Sequence, residues 1–199
     1  MVYSVDMAEI PTAERLAAAA REIIAAEGAA AVSMRRVAEA AGVTAMAIYR
    51  HYENREVLLR AVADATGREL GAAWKDPAPG GEWLDRFDAL LDRFLDFALG
   101  QPHLYRFLMA DSWAQARIYP DSFREPGSPP FTALVRLIEE GIREGVLRDD
   151  DPLEAALTVS TQTQGMVLHY LAGRMGAAEP EFRALCRRTS RRIFDGLST

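Results

Sequence analysis

The hydrophobic positions along the chain recur at helical spacing. In the first predicted helix, which begins at Pro11 and ends at Gly28, apolar residues lie three and four positions apart and therefore share one face. These residues are Leu16, Ala19, Ala20, Ile23 and Ile24. No stretch shows the strict alternation of apolar and polar residues that is typical of a strand. The pattern predicts an all-α protein.

Capping residues and helix breakers divide the chain into about nine helices. The predicted helices cover about 11–28, 33–41, 44–50, 54–75, 83–99, 102–116, 131–144, 152–172 and 180–197. The predicted N-caps include Ser33, Thr44, Asn54 and Asp151. The proline-rich residues 119–130 are predicted to form an irregular loop, and the breaker at 76–81 is expected to separate two domains.

The composition is that of an ordinary globular protein, with 49% hydrophobic and 26% charged residues. No apolar run reaches the roughly 18–20 residues of a membrane span, and the N-terminus lacks the basic and apolar regions of a signal peptide. The lone Cys186 excludes an intrachain disulfide and a metal cluster built on thiolates. We therefore expect a cytoplasmic protein without a membrane partner.

The net charge of −6 by itself disfavours nucleic acid, because phosphate contacts require Lys and Arg. The charge is unevenly distributed, however. Residues 33–55 contain four Arg and two Glu, which gives 4 − 2 = +2, so the remainder carries −6 − 2 = −8. A small basic region on an acidic body fits a DNA-binding surface, although such a region can arise by chance on any protein.

Residues 33–50 have the residue types that two short helices meeting at a steep angle require. Ala38 is small enough for the crossing point, and Gly42 tolerates the positive φ of the turn. Val37, Val43 and Ile48 are expected to close a small core against the first helix. This arrangement would let the second helix of the pair enter a major groove about 12 Å wide.

The segment VSMRRVAEAAGVTAMAIYRHYENREVLL resembles the DNA-binding domain of TetR-family transcriptional regulators. The matching residues are Glu27-Gly28, Ser33, Val37-Ala38, Ala41-Gly42-Val43, Tyr49-Arg50-His51-Tyr52 and Asn54-Arg55. In detail the resemblance covers about residues 9–75. It implies a helix-turn-helix DNA-binding domain of three helices over 1–55. Helix 54–75 would connect this domain to a helical ligand-binding and dimerisation domain over 76–199.

The resemblance assigns a DNA-contact role to eight residues. They are Arg35, Thr44, Ala45, Met46, Ala47, Tyr49, His51 and Arg55. Thr44 would cap the reading helix and touch a phosphate, and Tyr49 and His51 would bond phosphates beside the groove. Arg55 stands where the family commonly has Lys, and it remains a phosphate donor with a different geometry. Arg35 would reach a guanine edge or a phosphate.

The predicted reading helix cannot recognise bases through side-chain hydrogen bonds. Its residues Ala45, Met46 and Ala47 offer no hydrogen-bonding side chain. Direct readout by this helix is then limited to apolar contact with thymine methyl groups. Hydrogen-bonded specificity would come from Arg35 and Arg50, supplemented by DNA shape. We expect modest specificity for each half-site, raised by dimerisation.

The resemblance implies that residues 76–199 bind a small molecule, and two groups of residues are candidates for contacting it. The aromatic and Met candidates are Phe94, Tyr105, Phe107, Met109 and Trp113. The polar candidates, which interrupt the apolar stripe of helix 152–172, are Thr161, Gln162, Gln164 and His169. The aromatic group also fits plain core, and the polar group also fits a solvated face or a dimer interface.

In several family members the last two long helices of each subunit pair into a four-helix bundle. Here these helices are 152–172 and 180–197, and the resemblance implies a homodimer through them. The apolar stripe expected on the last helix is Phe182, Leu185, Cys186, Thr189 and Ile193. A basic face on the same helix is expected to be solvated or paired across the dimer interface. It consists of Arg187, Arg188, Arg191 and Arg192.

The resemblance implies a ligand-responsive transcriptional regulator, most commonly a repressor released from a palindromic double-stranded operator by a small, largely apolar effector. An enzyme is disfavoured, because the histidines at 51, 103 and 169 lack metal-ligand spacing and the sequence has no phosphate-binding glycine loop. No metal or cofactor is expected. The alternative is a helical ligand-binding or adaptor protein without DNA affinity, which a DNA-binding assay distinguishes.

Overall fold

The computed structural model describes residues 11–74, 81–109 and 129–196. Within these ranges the chain forms nine α-helices and a short 3₁₀ turn at Ala29–Ala31. The helices are α1 Thr12–Glu27, α2 Met34–Ala40, α3 Ala45–Ile48, α4 Arg55–Ala73, α5 Trp83–Gly100, α6 Pro102–Met109, α7 Pro129–Arg143, α8 Pro152–Leu171 and α9 Glu179–Asp195. The predicted all-α fold of about nine helices is confirmed.

Side chains predicted as N-caps begin four of the helices. The four caps are Ser33, Thr44, Asn54 and Asp151. Each accepts a hydrogen bond from a backbone N–H two or three residues further along, at distances between 2.8 and 3.3 Å. Such a cap contributes about 1 kcal/mol, because it satisfies an N–H that has no partner within the helix.

α7 starts earlier than the sequence predicts. It begins at Pro129, whereas the pattern of apolar residues predicts a start at about 131 and assigns both prolines to the loop. Proline is compatible with the first turn of a helix, because the N–H that it lacks would have no partner there. The remaining residues of the predicted loop, 119–128, and the predicted helical residues 110–116 lie outside the described ranges.

The described residues fall into two compact units. The first unit contains residues 11–66 and 101–109, and the second contains 67–74, 81–100 and 129–196. α4 contributes to both, since the division lies between Thr66 and Gly67. Of the helices described, none combines the length and the apolar character needed to cross a membrane.

The first unit is built around the inner face of α1. Leu16, Ala20 and Ile24 on this face are inaccessible to solvent. α2 packs against α1, and so does α6, which contributes the buried side chains of Leu104 and Phe107. α1 therefore supports α2 directly, and α2 in turn packs against α3.

The second unit has an aromatic cluster at the start of α5. Trp83 and Phe87 pack edge-on against Phe194 of α9, with ring centroids 4.8 and 4.6 Å from that of Phe194. The indole N–H of Trp83 donates to the carbonyl of Leu137 in α7 at 2.7 Å. This hydrogen bond satisfies the only polar atom of a buried side chain. α5 is thereby attached to both α7 and α9.

A ladder of ion pairs also connects α5 to α9. Its members are Arg183–Asp96 (2.8 Å), Arg187–Asp92 (2.5 Å) and Arg191–Asp88 (2.5 Å). Each helix contributes a residue at every fourth position, and the two series run in opposite directions. The pairs therefore require α5 and α9 to be antiparallel in one register. Because they are partly exposed, each contributes at most about 1 kcal/mol to stability.

The expectation of a solvated basic face on α9 holds for Arg188, Arg191 and Arg192, which are exposed. Arg187, which is half-buried, and Arg191 also form ion pairs within the chain, with Asp92 and Asp88, which the sequence did not predict. The signal was present in the sequence, since α5 carries an aspartate at every fourth position. The sequence does not state, however, that α5 and α9 are neighbours.

We expect Gly141→Ala to destabilise the second unit. An added Cβ would lie 2.6 Å from Nε1 and 2.8 Å from Cε2 of Trp83, whose ring is held by Leu137. Displacing the indole should cost about 1–3 kcal/mol of unfolding free energy, measured by urea denaturation. Gly67→Ala is the matched control, because its Cβ would meet nothing within 4 Å and alanine favours the helix. Equal destabilisation by both changes would contradict this prediction.

Candidate nucleic-acid interface

α2 and α3 form a helix-turn-helix whose turn is held by backbone geometry. Gly42 has a φ of +68°, a conformation that costs glycine little. The N–H of Val43 returns to the carbonyl of Ala38 at 2.9 Å, and Ala38 is buried at the point where the helices meet. The predicted roles of Ala38 and Gly42 within the turn are therefore confirmed, and the turn projects α3 from α2.

α3 is only four residues long, and its faces differ sharply. Ile48 is inaccessible to solvent and holds α3 to the first unit. On the other side Ala45 is exposed, Ala47 is half-buried, and the side chain of Met46 is 72% exposed. Tyr49, one turn after Met46, is 54% exposed. The outward surface of α3 is therefore apolar.

Basic side chains flank this apolar surface. Arg35 on α2 is exposed, as are Arg50 and His51 directly after α3. Arg36 differs from them, because its guanidinium forms two hydrogen bonds to the carboxylate of Glu27. This pairing lowers the pKa of Glu27 and raises that of Arg36. The charge of Arg36 is thus already matched, whereas Arg35 and Arg50 project into solvent where phosphates can reach them.

Arg55, which the resemblance predicts as a phosphate donor, forms hydrogen bonds within the chain. Its Nε donates to the carbonyl of Val32 at 2.9 Å, and its Nη2 donates to the carbonyl of Ala29 at 2.7 Å. Both carbonyls lie in the segment that leads into α2. A guanidinium suits this geometry because its donors form a rigid fork, which a lysine ammonium cannot reproduce. Arg55 therefore anchors the start of α4 to the entry of the helix-turn-helix.

Two further anchoring residues were missed from the sequence. Nη2 of Arg15 in α1 donates to the carbonyl of Ala41 at the end of α2, at 2.7 Å. The hydroxyl of Tyr52 donates to the carbonyl of Ala13 in α1 at 2.9 Å. Burial raises the pKa of Tyr52, so it stays protonated and able to donate. A buried tyrosine signals that a partner exists, but the sequence does not identify which carbonyl it is.

The aromatic effector candidates belong to different units. Tyr105 and Phe107 in α6 are inaccessible to solvent in the first unit, and Met109 there is half-buried. Burial raises the pKa of the Tyr105 hydroxyl well above its usual value. Phe94 is half-buried in α5 of the second unit. The fifth candidate, Trp113, lies outside the described residues.

The polar candidates lie on α8, where several hydroxyls and amides already have partners. Thr161 is exposed and donates to the carbonyl of Leu157 in its own helix at 2.7 Å. Gln162 donates through Nε2 to the hydroxyl of Thr189 in α9 at 2.9 Å. Gln164 is half-buried, and His169 is exposed. α8 therefore presents polar groups to α9 and to solvent within a single chain.

No metal centre is evident at this interface. Among the residues that the structure describes, no three His, Cys, Asp or Glu side chains lie together as ligands for a metal ion.

Two family models match the chain. Residues 16–62 match the model of the bacterial regulatory proteins of the TetR family. Residues 87–193 match that of the tetracyclin repressor-like C-terminal domain. No curated protein matches the chain significantly.

Solved structures share this fold over nearly the whole chain. A protein with unknown function from Rhodococcus sp. RHA1 is 23% identical with a TM-score of 0.76, and the match covers 99% of this chain and 98% of that one. A TetR-family transcriptional regulator from Pectobacterium atrosepticum is 25% identical with a TM-score of 0.71, covering 97% and 96%. The transcriptional regulator FadR from Bacillus subtilis, solved in complex with stearoyl-CoA, is 15% identical with a TM-score of 0.68, covering 92% and 98%.

The fold and its projecting helix pair are those of helix-turn-helix transcriptional regulators. Because the two family matches together cover most of its length, the chain belongs to the TetR family of bacterial regulatory proteins. The resemblance expected from residues 27–55 is thus confirmed, and the chain carries that family's DNA-binding domain. The members of this family are regulators rather than enzymes.

We expect Arg55→Lys to loosen the helix-turn-helix although the charge is kept. Lysine lacks the separate Nε and Nη2 donors that Arg55 directs at the carbonyls of Val32 and Ala29, so the first unit should lose about 1–2 kcal/mol of stability. Hydrogen exchange of the α2 and α3 amides measures this loss directly. Arg50→Lys is the control, because Arg50 is exposed. Unchanged exchange in Arg55→Lys would refute the anchoring role.

Proposed function

We propose that this chain is a ligand-responsive transcriptional regulator that binds a palindromic operator as a homodimer. In its simplest mode the regulator would repress transcription while bound to the operator. A small, largely apolar effector would release it from the DNA. The observation that carries the proposal is the projecting α3, whose exposed surface is flanked by the exposed cations Arg35 and Arg50. A helix presented in this way fits the major groove, and the cations fit the phosphates on either side.

Charge supports this orientation on DNA. The region 33–55 carries +2, whereas the rest of the chain taken together carries −8, so the charge distribution favours the approach of phosphates to this region over the chain as a whole. Within this region Tyr49 and His51 are exposed beside α3, which suits hydrogen bonds to phosphate oxygens. Thr44 is exposed at the start of α3 and combines its capping role with reach toward a phosphate. Arg55 contributes mainly by anchoring.

Dimerisation through α8 and α9 is supported by the outward side of α8. Leu168 is 39% exposed there, close in sequence to the half-buried Gly165 and the exposed Thr161 and His169. A small residue, a threonine and an exposed leucine suit close packing against a second helix. In the dimer the two α3 helices would lie about 34–36 Å apart and enter successive major grooves.

An effector with an apolar portion is compatible with the likeness of fold to FadR from Bacillus subtilis, whose solved complex contains stearoyl-CoA, a molecule with a long apolar acyl chain on a charged coenzyme A group. The candidate contacts in the second unit are Phe94, Thr161, Gln162, Gln164 and His169, and those in the first unit are Tyr105, Phe107 and Met109, while Trp113 lies outside the described residues. An effector lowers DNA affinity only by as much as it prefers the conformation that does not bind DNA. α4 is the helix expected to transmit the effect of effector binding to the DNA-binding helices, because its residues belong to both units.

We expect Tyr49→Ala to weaken binding to every DNA sequence, and Arg35→Ala also to alter sequence preference. Tyr49 would contact the backbone alone, whereas Arg35 also reaches a base edge. Fluorescence anisotropy at low salt, with DNA from upstream of the chain's own gene and with unrelated duplexes, separates the two effects. Arg136→Ala, an exposed arginine of α7, is the control.

Absence of binding by the native chain at low salt would refute the regulator and favour the adaptor without DNA affinity. Equal losses on every sequence for Tyr49→Ala and Arg35→Ala would instead contradict only the base-reading role of Arg35.

We expect Leu168→Asp to convert the homodimer into monomers. A carboxylate placed between two α8 helices would lose its hydration, and burying a charge is strongly unfavourable. Sedimentation velocity measures the change. Val146→Asp is matched to it, because Val146 is equally exposed at 39% but lies in the loop after α7. A Leu168→Asp variant that remains dimeric would place the interface elsewhere.

A further inference from the structure

The most exposed apolar side chains of the described residues lie together at α3. Among the exposed large hydrophobic residues, Met46 (72%) and Tyr49 (54%) exceed the others, which are 36–40% exposed. The two residues are three positions apart, so they share the outward side of α3 and the turn that follows it. Exposing a methionine to this extent costs the isolated protein favourable burial, which points to an apolar group in its partner.

α3 has no side chain that can read a donor and acceptor pattern. Ala45, Ala47 and Ile48 have none of the required atoms, and the thioether of Met46 is only a weak acceptor. Ile48 is in any case buried. In the major groove the only apolar group at a base edge is the methyl at C5 of thymine. The cations that flank α3, the exposed Arg35 and Arg50, suit the phosphates of DNA, and residues 16–62 match the regulatory proteins of the TetR family.

We propose that α3 reads the C5 methyl group of pyrimidines rather than the hydrogen-bonding pattern of the base pair. This inference rests on the proposed DNA-binding function and states what the reading helix selects. A reader of hydrogen bonds distinguishes T·A from 5-methylcytosine·G, because their donors and acceptors differ. A reader of methyl groups accepts both pairs and discriminates against U·A and unmethylated C·G. Methylation of cytosine at a contacted position therefore strengthens binding.

The test begins by selecting randomised DNA duplexes with the full-length chain. The selected duplex is resynthesised with one thymine at a time replaced by uracil, which removes only the methyl group. At contacted positions we expect about a fourfold loss of affinity for each methyl, equivalent to the burial of one methylene-sized group at about 0.8 kcal/mol. At the same positions C·G should bind as weakly as U·A, and 5-methylcytosine·G should restore the affinity of T·A.

A substitution assigns the effect to Met46. Met46→Gln keeps the length of the side chain and adds an amide that donates and accepts hydrogen bonds. The variant should lose most of the difference between T and U and should begin to distinguish T·A from 5-methylcytosine·G. Val146→Ala, at an exposed apolar residue in the second unit, should behave like the native chain.

The outcomes separate the two proposals. If selection enriches a sequence but uracil binds as well as thymine at every position, methyl reading is refuted while DNA binding stands. Failure of 5-methylcytosine to restore binding where uracil weakens it also refutes methyl reading, because hydrogen bonds would then carry the discrimination. If selection enriches no sequence, the proposed function fails, and this inference fails with it.

Discussion

The helix-turn-helix depends on hydrogen bonds from long side chains to backbone carbonyls. A helix as short as α3 has little stability of its own, because nucleating a helix costs more than one turn returns. Arg15, Tyr52 and Arg55 compensate by bonding carbonyls 23 to 39 residues away in the sequence. With the buried Ile48, these bonds hold α2 and α3 to α1 and α4. The exposed side chains of α3 are consequently not needed to hold the helix in place, and they can be apolar.

In the second unit, specific side-chain contacts fix the register of the two long helices α5 and α9. Trp83 attaches α5 to α7 through a hydrogen bond and to α9 through Phe194, and it leaves no space for a side chain at position 141. The three ion pairs between α5 and α9 permit one antiparallel alignment. Because aspartates and arginines of this ladder neutralise one another, the acidic surplus of the chain lies elsewhere on its surface.

In the proposed complex with DNA, two kinds of contact would share the recognition. Arg35, Arg50 and their polar neighbours would attract phosphates, a contribution that weakens with salt, and Arg35 would also reach a base edge. Met46 would add the apolar contact that depends on a methyl group of the base. Since one methyl contact discriminates weakly, a second copy of α3 in a homodimer would multiply the selectivity.

The sequence alone determined the features that depend on neighbouring residues. Ser33, Thr44, Asn54 and Asp151 cap their helices as predicted, because a cap bonds an N–H only two or three residues away. The helix-turn-helix was equally predictable, since its turn needs Gly42 and its crossing needs a small residue. Only the tertiary structure decided that Arg55 anchors a loop and that Arg187 and Arg191 pair with α5. Those partners are 23 to 103 residues distant, and no local pattern specifies which helices the core brings together.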